Sequence, residues 1–424
     1  MSRLPPFFDS IVRRFSNRSI VTSPRWRKVK IMAAVALVAV GAGLTLSACV
    51  ATGQSATGAR LDAMKASPDW RDGEFTNSLP TEHPSLLKAL GKWLGGTDNT
   101  VPDSPLPVVK RAAGDFDVAP ASGLRITWLG HSTFLVEIDG RRVLVDPVLS
   151  ERPSPFSWAG PTRFHEAPLS IDQVPAIDAV VISHDHYDHL DHRTVRALGK
   201  HIPQYIVPLG VGAHLEYWGV PAERIIECDW WGKVERGDLT FTATPARHFS
   251  GRSLVMAGQN ETLWSGWVIA GPRHRVYYSG DTGMFPGFKA IGERLGPFDA
   301  VLIEIGAYDQ LWPDLHIGPE QAIEARVALG SGLFIPAHWG TFNLAMHAWT
   351  EPVERALVAA EKAGVPIAVP RPGESIEPAN PPRLARWWPS VPWKTAEQEP
   401  IVSSGLESPR RKAPQPNTLT GVVP

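Results

Sequence analysis

The chain has 424 residues, enough for one large domain or two ordinary ones. Its 42 Lys and Arg nearly balance 43 Asp and Glu, and no long basic block lies beyond the N-terminus, so nucleic acid is excluded as a partner. With 43% apolar residues the chain can bury a sizeable core. Composition does not fix the oligomeric state.

The N-terminal 49 residues have the pattern of a secretory signal. Residues 1–30 carry eight Lys or Arg and one acid, and residues 31–48 are uncharged and rich in Ala, Val and Gly. The run closes on Leu46-Ser47-Ala48-Cys49, which resembles the bacterial lipobox, where the cysteine is lipidated and becomes the mature N-terminus. We therefore expect a lipoprotein of the bacterial cell envelope, anchored through lipid on Cys49. A single uncleaved membrane anchor over residues 31–48 is the alternative.

The remaining chain divides by composition into three segments. Residues 50–122 are rich in Gly, Ala, Ser and Pro and are interpreted as a tether and cover segment. Residues 123–375 have regular apolar patterning and are predicted to form the folded domain. Residues 376–424 form a Pro- and Trp-rich tail, predicted to be mobile apart from residues 386–388 and Trp393.

Short runs rich in β-branched residues predict the strands of the folded domain, and longer periodic runs predict its helices. Strands are predicted at 124–128, 133–138, 142–145, 180–182, 205–207, 224–227, 239–243, 263–269, 275–278, 300–304, 333–335 and 366–369. Helices are predicted at 85–93, 191–198, 287–295, 319–328 and 351–362. The first half of this domain has mainly strands, and in its second half strands alternate with helices. This order predicts an α/β fold of two sheets with helices on the outside.

A dense group of histidines and acids follows the predicted strand 180–182 directly, as Ser183-His184-Asp185-His186-Tyr187-Asp188-His189. In an extended segment, His184 and His186 can point both imidazoles at one position, while Asp188 and His189 can reach a second position nearby. Imidazole with carboxylate suits zinc, and iron or manganese less specifically. The alternative is a polar loop whose histidines face solvent.

Candidate ligands also follow three later strands. His248 comes after strand 239–243, Asp281 after strand 275–278, and His338 after strand 333–335, each with Gly or Pro nearby to turn the chain. Taken singly, the three could be a loop histidine, a turn-forming aspartate and a core histidine. Taken from the residues alone, a metal site and a structural role both remain open for each.

The spacing His-x-His-x-Asp-His after a buried strand resembles the signature of the metallo-β-lactamase superfamily. Further stretches resemble its N-acyl-phosphatidylethanolamine-hydrolysing phospholipase D branch over roughly residues 120–375: Trp158-Ala159-Gly160-Pro161, Asp229-Trp230-Trp231, Gly296-Pro297-Phe298-Asp299, Ile305-Gly306-Ala307-Tyr308 and His338-Trp339-Gly340-Thr341-Phe342. The resemblance implies an αββα sandwich of two mixed β-sheets with outer helices.

The resemblance also implies a dinuclear centre with two Zn²⁺ per chain. It assigns one zinc to His184, His186 and His248, and the other to Asp188, His189 and His338, with Asp281 bridging them.

Two of these ligands and three further residues are assigned roles around this centre. Asp188 and Asp281 are expected to act in catalysis by orienting a hydroxide held between the metals. His316 matches a pocket histidine of the phospholipase branch that could contact phosphate. Asp146, which ends strand 142–145, resembles the superfamily's acid that orients a ligating imidazole, and His131 either lies near the metals or only packs.

The resemblance implies a zinc-dependent phosphodiesterase of phospholipase D type. Such an enzyme hydrolyses N-acyl-phosphatidylethanolamine on the head-group side and releases an N-acylethanolamine and phosphatidic acid. Two metals about 3.5–4 Å apart can hold a bridging hydroxide for this reaction at neutral pH. The partners are then a phospholipid or another phosphodiester, and a membrane contacted through the N-terminal lipid.

Two other functions remain open from the sequence. The first is a metal-dependent lactonase, or another hydrolase of small substrates, on the same dinuclear site. The second, less favoured, is a lipoprotein that keeps zinc for structure alone, although structural sites are usually closed and tetrahedral.

A lipid substrate also requires apolar surface near the site. We expect Phe156 and Trp158, in the loop before strand 180–182, to flank the mouth of the site, with packing onto the core as the alternative.

Overall fold

The computed structural model describes Met32 and residues 48–81, 86–199, 201–253 and 258–406. The chain divides into two units, Met1–Cys49 and Val50–Pro424, and the fold below is that of the second unit. Apart from Met32 and Ala48, the predicted apolar segment 31–48 lies outside the described residues. Within those residues no helix is both long enough and apolar enough to span a bilayer.

Seven strands form the first sheet. In chain order they are β3 (Leu124–Trp128), β4 (Phe134–Ile138), β5 (Arg141–Val145), β6 (Ala179–Val181), β7 (Tyr205–Pro208), β8 (Ile225–Cys228) and β15 (Ser375–Ile376). Their order across the sheet is β15-β3-β4-β5-β6-β7-β8. The pairs from β15 to β5 are antiparallel and those from β5 to β8 are parallel, so the sheet is mixed.

Six strands form the second sheet. They are β9 (Lys233–Arg236), β10 (Leu239–Thr244), β11 (Gly266–Ala270), β12 (Arg275–Tyr278), β13 (Ala300–Glu304) and β14 (Leu333–Ala337), in the order β14-β13-β12-β11-β10-β9. The pairs from β9 to β12 are antiparallel, whereas β12, β13 and β14 are parallel. The prediction of two mixed sheets is confirmed.

Successive side chains along the strands of the first sheet enter two different hydrophobic cores, one on each face of the sheet. On β5, Val143 and Val145 join the large core shared with the second sheet, and Leu144 joins a core on the opposite face. That opposite face is covered by α3 (His192–Leu198) and α4 (Val211–Tyr217), which contribute Val195 and Leu215 among others. The period of two along a strand therefore places helices on one face and the second sheet on the other.

Three longer helices pack with the second sheet. They are α5 (Gly287–Leu295), α6 (Pro319–Leu329) and α7 (Glu351–Ala363), and they contribute Ile291, Ile323 and Val353, among others, to the large core. These three were predicted, and the αββα order of layers is the one expected.

Several short elements were not predicted. They are α1 (Gly58–Ala66), the small β1–β2 hairpin (Trp70–Arg71 and Glu74–Phe75), α4, β9 and β15. The strand predicted at 366–369 is wrong, since Ile367 forms only an isolated bridge to Phe334 there. Helix α2 (Leu86–Gly95) falls where residues 85–93 were predicted as helical.

The C-terminal segment packs on the domain further than the prediction of mobility allowed. Ser404 donates hydrogen bonds through its Oγ and its backbone N to Asp314, at 2.6 and 2.8 Å, and its carbonyl accepts one from Arg247 at 3.0 Å. These contacts tie residue 404 to the loop that precedes His316.

Candidate metal centre

The candidate ligands lie at the carboxyl ends of strands. His184 follows β6, His248 follows β10, Asp281 follows β12 and His338 follows β14. Strands β10, β12 and β14 run in one direction, because β10 and β12 are both antiparallel to β11 and β12 to β14 are parallel. Their loops therefore open at the same edge of the second sheet, which faces the loop after β6.

The first group of ligand atoms comprises His184, His186, His248 and Asp281, all lying within 4.8 Å of one another. Nδ1 of His186 is 2.8 Å from Nε2 of His184 and 3.3 Å from Nε2 of His248. Asp281 Oδ2 lies 3.9 Å from His184 Nε2 and 3.8 Å from His248 Nε2. The structure thus brings together the residues that the resemblance assigned to the first metal.

The second group is built around Asp188, His189 and His338. Asp188 Oδ2 is 3.6 Å from His189 Nε2 and 3.2 Å from His338 Nε2. Asp281 Oδ2 is 3.1 Å from His189 Nε2 and 3.0 Å from His338 Nε2. One carboxylate oxygen of Asp281 therefore reaches both groups, as a bridging ligand must.

His131 lies inside the second group rather than beside it. Its Nε2 is 3.0 Å from Asp188 Oδ2, and its ring centroid is 4.1 Å from that of His338. The sequence left open whether His131 approaches the metals or only packs. The geometry places it close enough to hold Asp188 in position.

Asp146 supports the ligands from behind. It is fully buried and accepts hydrogen bonds from His189 Nδ1 at 2.7 Å, from the Ser183 backbone N at 2.7 Å and from the Tyr278 hydroxyl at 2.6 Å. This is the position of a carboxylate that orients a ligating imidazole. His248 is oriented in a similar way, because its Nδ1 lies 2.7 Å from the Leu315 carbonyl oxygen.

Three residues of the site have left-handed backbone conformations that non-glycine residues rarely adopt. They are His131, Asp146 and His338, with φ of 53°, 37° and 61°. Such conformations cost of order 1–3 kcal/mol and persist only where the surrounding structure imposes them. The packing and hydrogen bonds around these three residues therefore have to hold their backbone in place.

Sequence reasoning missed Glu304, the last residue of β13. With Asp281, His316 and His338 it forms a third group whose ligand atoms lie within 4.8 Å of one another. Glu304 Oε2 is 2.8 Å from His316 Nδ1, and Asp281 Oδ2 is 3.8 Å from the same nitrogen. The available signal was position, since Glu304 ends an apolar strand at the same sheet edge as the ligands.

Asp185 and His347 lie on loops of the site but belong to none of the three ligand groups. Asp185 accepts a hydrogen bond from Gly251 N at 2.8 Å and lies 3.3 Å from His214 Nε2, so it supports the loop rather than joining either ligand group. The ring of His347 stacks on Tyr308, with 4.5 Å between the ring centroids.

The charges of the centre are shared between carboxylates and imidazoles. Burial disfavours a protonated His338, but the carboxylates of Asp281 and Asp188 outweigh it and raise its pKa to about 10. The pKa of His189 is raised for the same reason. Burial instead lowers the pKa of His131 to about 3 and that of His316 to about 4. Protons on His189 and His338 thus balance the two aspartates, and metal ions would take their place.

These residues fit a pair of divalent metal ions. A zinc–nitrogen bond of about 2.0–2.1 Å in a tetrahedral site puts ligand atoms roughly 3.3 Å apart, close to the separations found here. Asp281 Oδ1 and His189 Nε2 are buried and, within the described part of the chain, have no hydrogen-bond partner. Buried polar atoms without partners are costly, and coordination would satisfy them.

A mixed two-sheet fold with histidine and aspartate ligands at its strand ends defines a metal-dependent hydrolase. A protein-family model described as "Beta-lactamase superfamily domain" matches residues 141–339. An uncharacterized protein of Mycobacterium tuberculosis is 46% identical over 375 residues, covering 85% of this chain and 99% of that protein. N-acyl-phosphatidylethanolamine-hydrolyzing phospholipase D 1 of Caenorhabditis elegans is 40% identical over 260 residues, which cover 58% of this chain and 72% of that protein.

Among solved structures, the metallo hydrolase Igni18 of Ignicoccus hospitalis matches with a TM-score of 0.47 and 23% identity, covering 60% of this chain and 97% of that one. The match of the superfamily domain and the relative from Caenorhabditis elegans, of which this chain covers 72%, show that the chain belongs to the metallo-β-lactamase superfamily.

Proposed function

We propose that this hydrolase is a zinc-dependent phosphodiesterase of phospholipase D type, with two zinc ions per chain, acting on N-acyl-phosphatidylethanolamine-like lipids. The observation that carries the proposal is the centre itself, two ligand groups joined by Asp281 Oδ2. The lipid class rests on the relative from Caenorhabditis elegans, whose printed name states that activity.

The reaction adds water across the head-group phosphodiester. Water attacks phosphorus, the bond from phosphorus to the ethanolamine oxygen breaks, and that oxygen takes up a proton, giving an N-acylethanolamine and phosphatidic acid. Bound metal ions would supply positive charge for the phosphoryl oxygens and would acidify the attacking water.

The protein's own residues position the reacting groups. Asp146 fixes the ring of His189, and the Leu315 carbonyl fixes that of His248, so the imidazole ligands cannot rotate away. His131 and His338 both contact Oδ2 of Asp188 and so restrict the rotation of its carboxylate. His316 is partly exposed at this edge, and its low pKa keeps it neutral at pH 7, suited to a hydrogen bond with a phosphoryl oxygen.

An apolar surface beside the centre suits a substrate held in a bilayer. Helix α2 exposes Leu87, Leu90, Trp93 and Leu94. Lys92 ties the helix to the loop before His316 through a 2.6 Å ion pair with Asp309. Exposed apolar residues on a short helix with lysines are typical of helices that lie in a membrane interface.

A cavity of about 520 Å³ separates this helix from the site loops, lined by Leu90, Trp93, Trp312, Leu344 and Met346 among others. Thr100, Asn343, Leu344 and Ala345 also line a smaller cavity that includes His338. The smaller cavity, of about 20 Å³, is too small for an acyl chain, so the larger cavity beside α2 is the apolar space that suits one.

The predicted aromatic pair is also partly open to solvent. Trp158 is 62% exposed and its ring lies 5.4 Å from that of the partly buried Phe156. The exposure of Trp158 favours a role at a lipid surface over packing in the core.

We predict that Leu87→Ser with Trp93→Ser lowers turnover of vesicle-bound phospholipid by about tenfold or more. Burying one such side chain in an apolar phase stabilises by about 1.5–3 kcal/mol, and both contributions would be lost. Hydrolysis of a soluble phosphodiester should change by less than about twofold, because α2 contributes no ligand. Phe156→Ser with Trp158→Ser should behave similarly.

Val118→Ser is the matched control, since Val118 is 76% exposed on a different segment. It should leave both activities unchanged. Equal losses on vesicles and on the soluble substrate would show that these side chains support the fold rather than the lipid surface.

A substrate screen tests the proposed reaction class. The zinc-loaded protein should hydrolyse bis-p-nitrophenyl phosphate and N-acyl-phosphatidylethanolamine, and simple lactones should be hydrolysed far more slowly. Lactone hydrolysis without phosphodiester hydrolysis would assign the centre to the alternative reaction. Two bound zinc ions without activity on either class would favour a structural role.

We also propose that the protein is a cell-envelope lipoprotein modified at Cys49, whose thiol is exposed. Cys49→Ser should abolish lipid labelling and leave a longer precursor, as seen by intact-mass analysis after expression in a bacterial host. Cys228→Ser, at the one other cysteine, should be processed normally. Retained labelling of the Cys49→Ser protein would contradict the lipobox and favour the uncleaved anchor.

A further inference from the structure

Glu304 is a fully buried carboxyl group that the reaction described above leaves without a role. Its Oε1 accepts a hydrogen bond from the backbone N of Thr282, the residue after Asp281. Its Oε2 faces His316 Nδ1 at 2.8 Å and His338 Nδ1 at 3.9 Å. Within the described residues, arginine and lysine ion pairs do not reach Glu304. A buried carboxyl group is costly, so its retention at this position calls for a function.

The contacts of Glu304 determine how His316 is held. The Thr282 amide fixes one oxygen of Glu304, so the other oxygen is fixed as well. The hydrogen bond to Nδ1 then sets the rotation of the His316 ring. When Glu304 is the donor in this bond, the neutral ring carries its proton on Nε2 and can donate it to a phosphoryl oxygen. The ring packs between His248 and His338, with centroid distances of 5.0 and 5.2 Å. With Nδ1 held by Glu304, Nε2 is the nitrogen that remains for the substrate.

We propose that Glu304 is a positioning residue, which orients His316 so that its Nε2 meets a phosphoryl oxygen of the substrate. This inference rests on the proposed function, because it takes the substrate to be a phosphodiester. Glu304 itself lies behind the histidine and does not touch the substrate. The arrangement resembles that of Asp146 behind His189, with the difference that the oriented imidazole serves the substrate rather than a metal.

A double-mutant cycle over Glu304 and His316 tests the proposal. Glu304→Ala should lower kcat by about 10- to 100-fold, the effect typical of losing an orienting group, with KM changed by less than about threefold. In the His316→Ala background the same change should lower kcat by less than about threefold, since residues acting through one another are not additive. Glu304→Gln, which keeps the shape, should lie between wild type and Glu304→Ala.

Two measurements besides activity accompany the cycle. Zinc content should stay at about two per chain in all variants, and the thermal midpoint of Glu304→Gln should stay within a few degrees of wild type. Glu351→Gln is the matched control, because Glu351 is also a buried carboxyl group but contacts Tyr308 and Arg355. It should leave kcat unchanged.

Other outcomes would overturn the inference in distinct ways. Equal losses with and without His316 would show that Glu304 acts independently of it, and loss of zinc in Glu304→Gln would show that it supports His338 instead. The cycle uses the ester that the wild type hydrolyses fastest. If that ester is a lactone, the proposed phosphodiesterase function is wrong. Coupling between Glu304 and His316 would then show that His316 contacts the carbonyl oxygen of the lactone instead of a phosphoryl oxygen.

Discussion

Replacing His186 by alanine should lower phosphodiester hydrolysis by about 10³-fold or more while leaving the fold intact. His186 Nδ1 lies within 3.3 Å of both other imidazoles of the first group, so its loss removes a ligand from the centre of that group. A bound metal contributes several kcal/mol to transition-state stabilisation, which corresponds to a loss of this size. Zinc content should fall from about two to about one per chain.

The fold should tolerate this change because His186 lies on a loop and is partly exposed. The thermal midpoint of the zinc-free His186→Ala protein should lie within a few degrees of that of zinc-free wild type. His201→Ala, at an exposed histidine outside the three ligand groups, is the matched control and should leave activity and zinc content unchanged. Full activity of the His186→Ala protein would show that His186 is not a ligand of the metal centre.

Asp146→Ala should have the largest effect on stability among the site residues. The buried carboxylate accepts hydrogen bonds from Ser183, His189 and Tyr278, and all of these donors would lose their partner. Breaking a buried hydrogen-bonded charge pair costs about 3–5 kcal/mol in the free energy of unfolding. Zinc affinity should also fall by about 10- to 100-fold, because the ring of His189 loses its orienting partner.

Chemical denaturation of the zinc-free protein and zinc titration with a competing chelator measure the two effects separately. Asp178→Ala is the control, since Asp178 also accepts a backbone hydrogen bond but its side chain is 41% exposed. It should cost less than about 1.5 kcal/mol, the usual range for one hydrogen bond. A zinc affinity unchanged in Asp146→Ala would show that His189 does not need this carboxylate.

Much of the site could be predicted because its ligands are confined to strand ends. His248, Asp281 and His338 each follow an apolar run that is easy to recognise, and parallel strands bring such ends to one edge. The resemblance then supplied the pairing of ligands, which spacing alone left open.

The remaining site residues depend on contacts between distant parts of the chain. Glu304 reads in the sequence as the last residue of a buried strand, and only the folded structure shows that it meets His316 and Thr282. His131 is 57 positions from Asp188, the residue it contacts, and no local pattern links the two. Positive φ at a histidine is also invisible to patterns of hydrophobicity.

The missed elements of the fold were short or weakly patterned. Strand β9 (Lys233–Arg236) has three charged residues in four and only its pairing with β10 makes it a strand. Helix α4 has seven residues, as has the predicted helix α3, but it follows Gly210 and has no side-chain cap, whereas Asp191 caps α3. Tertiary packing, rather than local propensity, forms these elements.

The most direct test of the proposed function is product analysis of N-acyl-phosphatidylethanolamine incubated with the zinc-loaded protein in ¹⁸O-labelled water. Attack of water on phosphorus predicts equal amounts of N-acylethanolamine and phosphatidic acid, with the label in the phosphate of the phosphatidic acid. A chelator should abolish both products, and zinc should restore them. Release of fatty acid or diacylglycerol instead, or no product from protein that holds two zinc ions, would contradict a phospholipase D-type reaction at this centre.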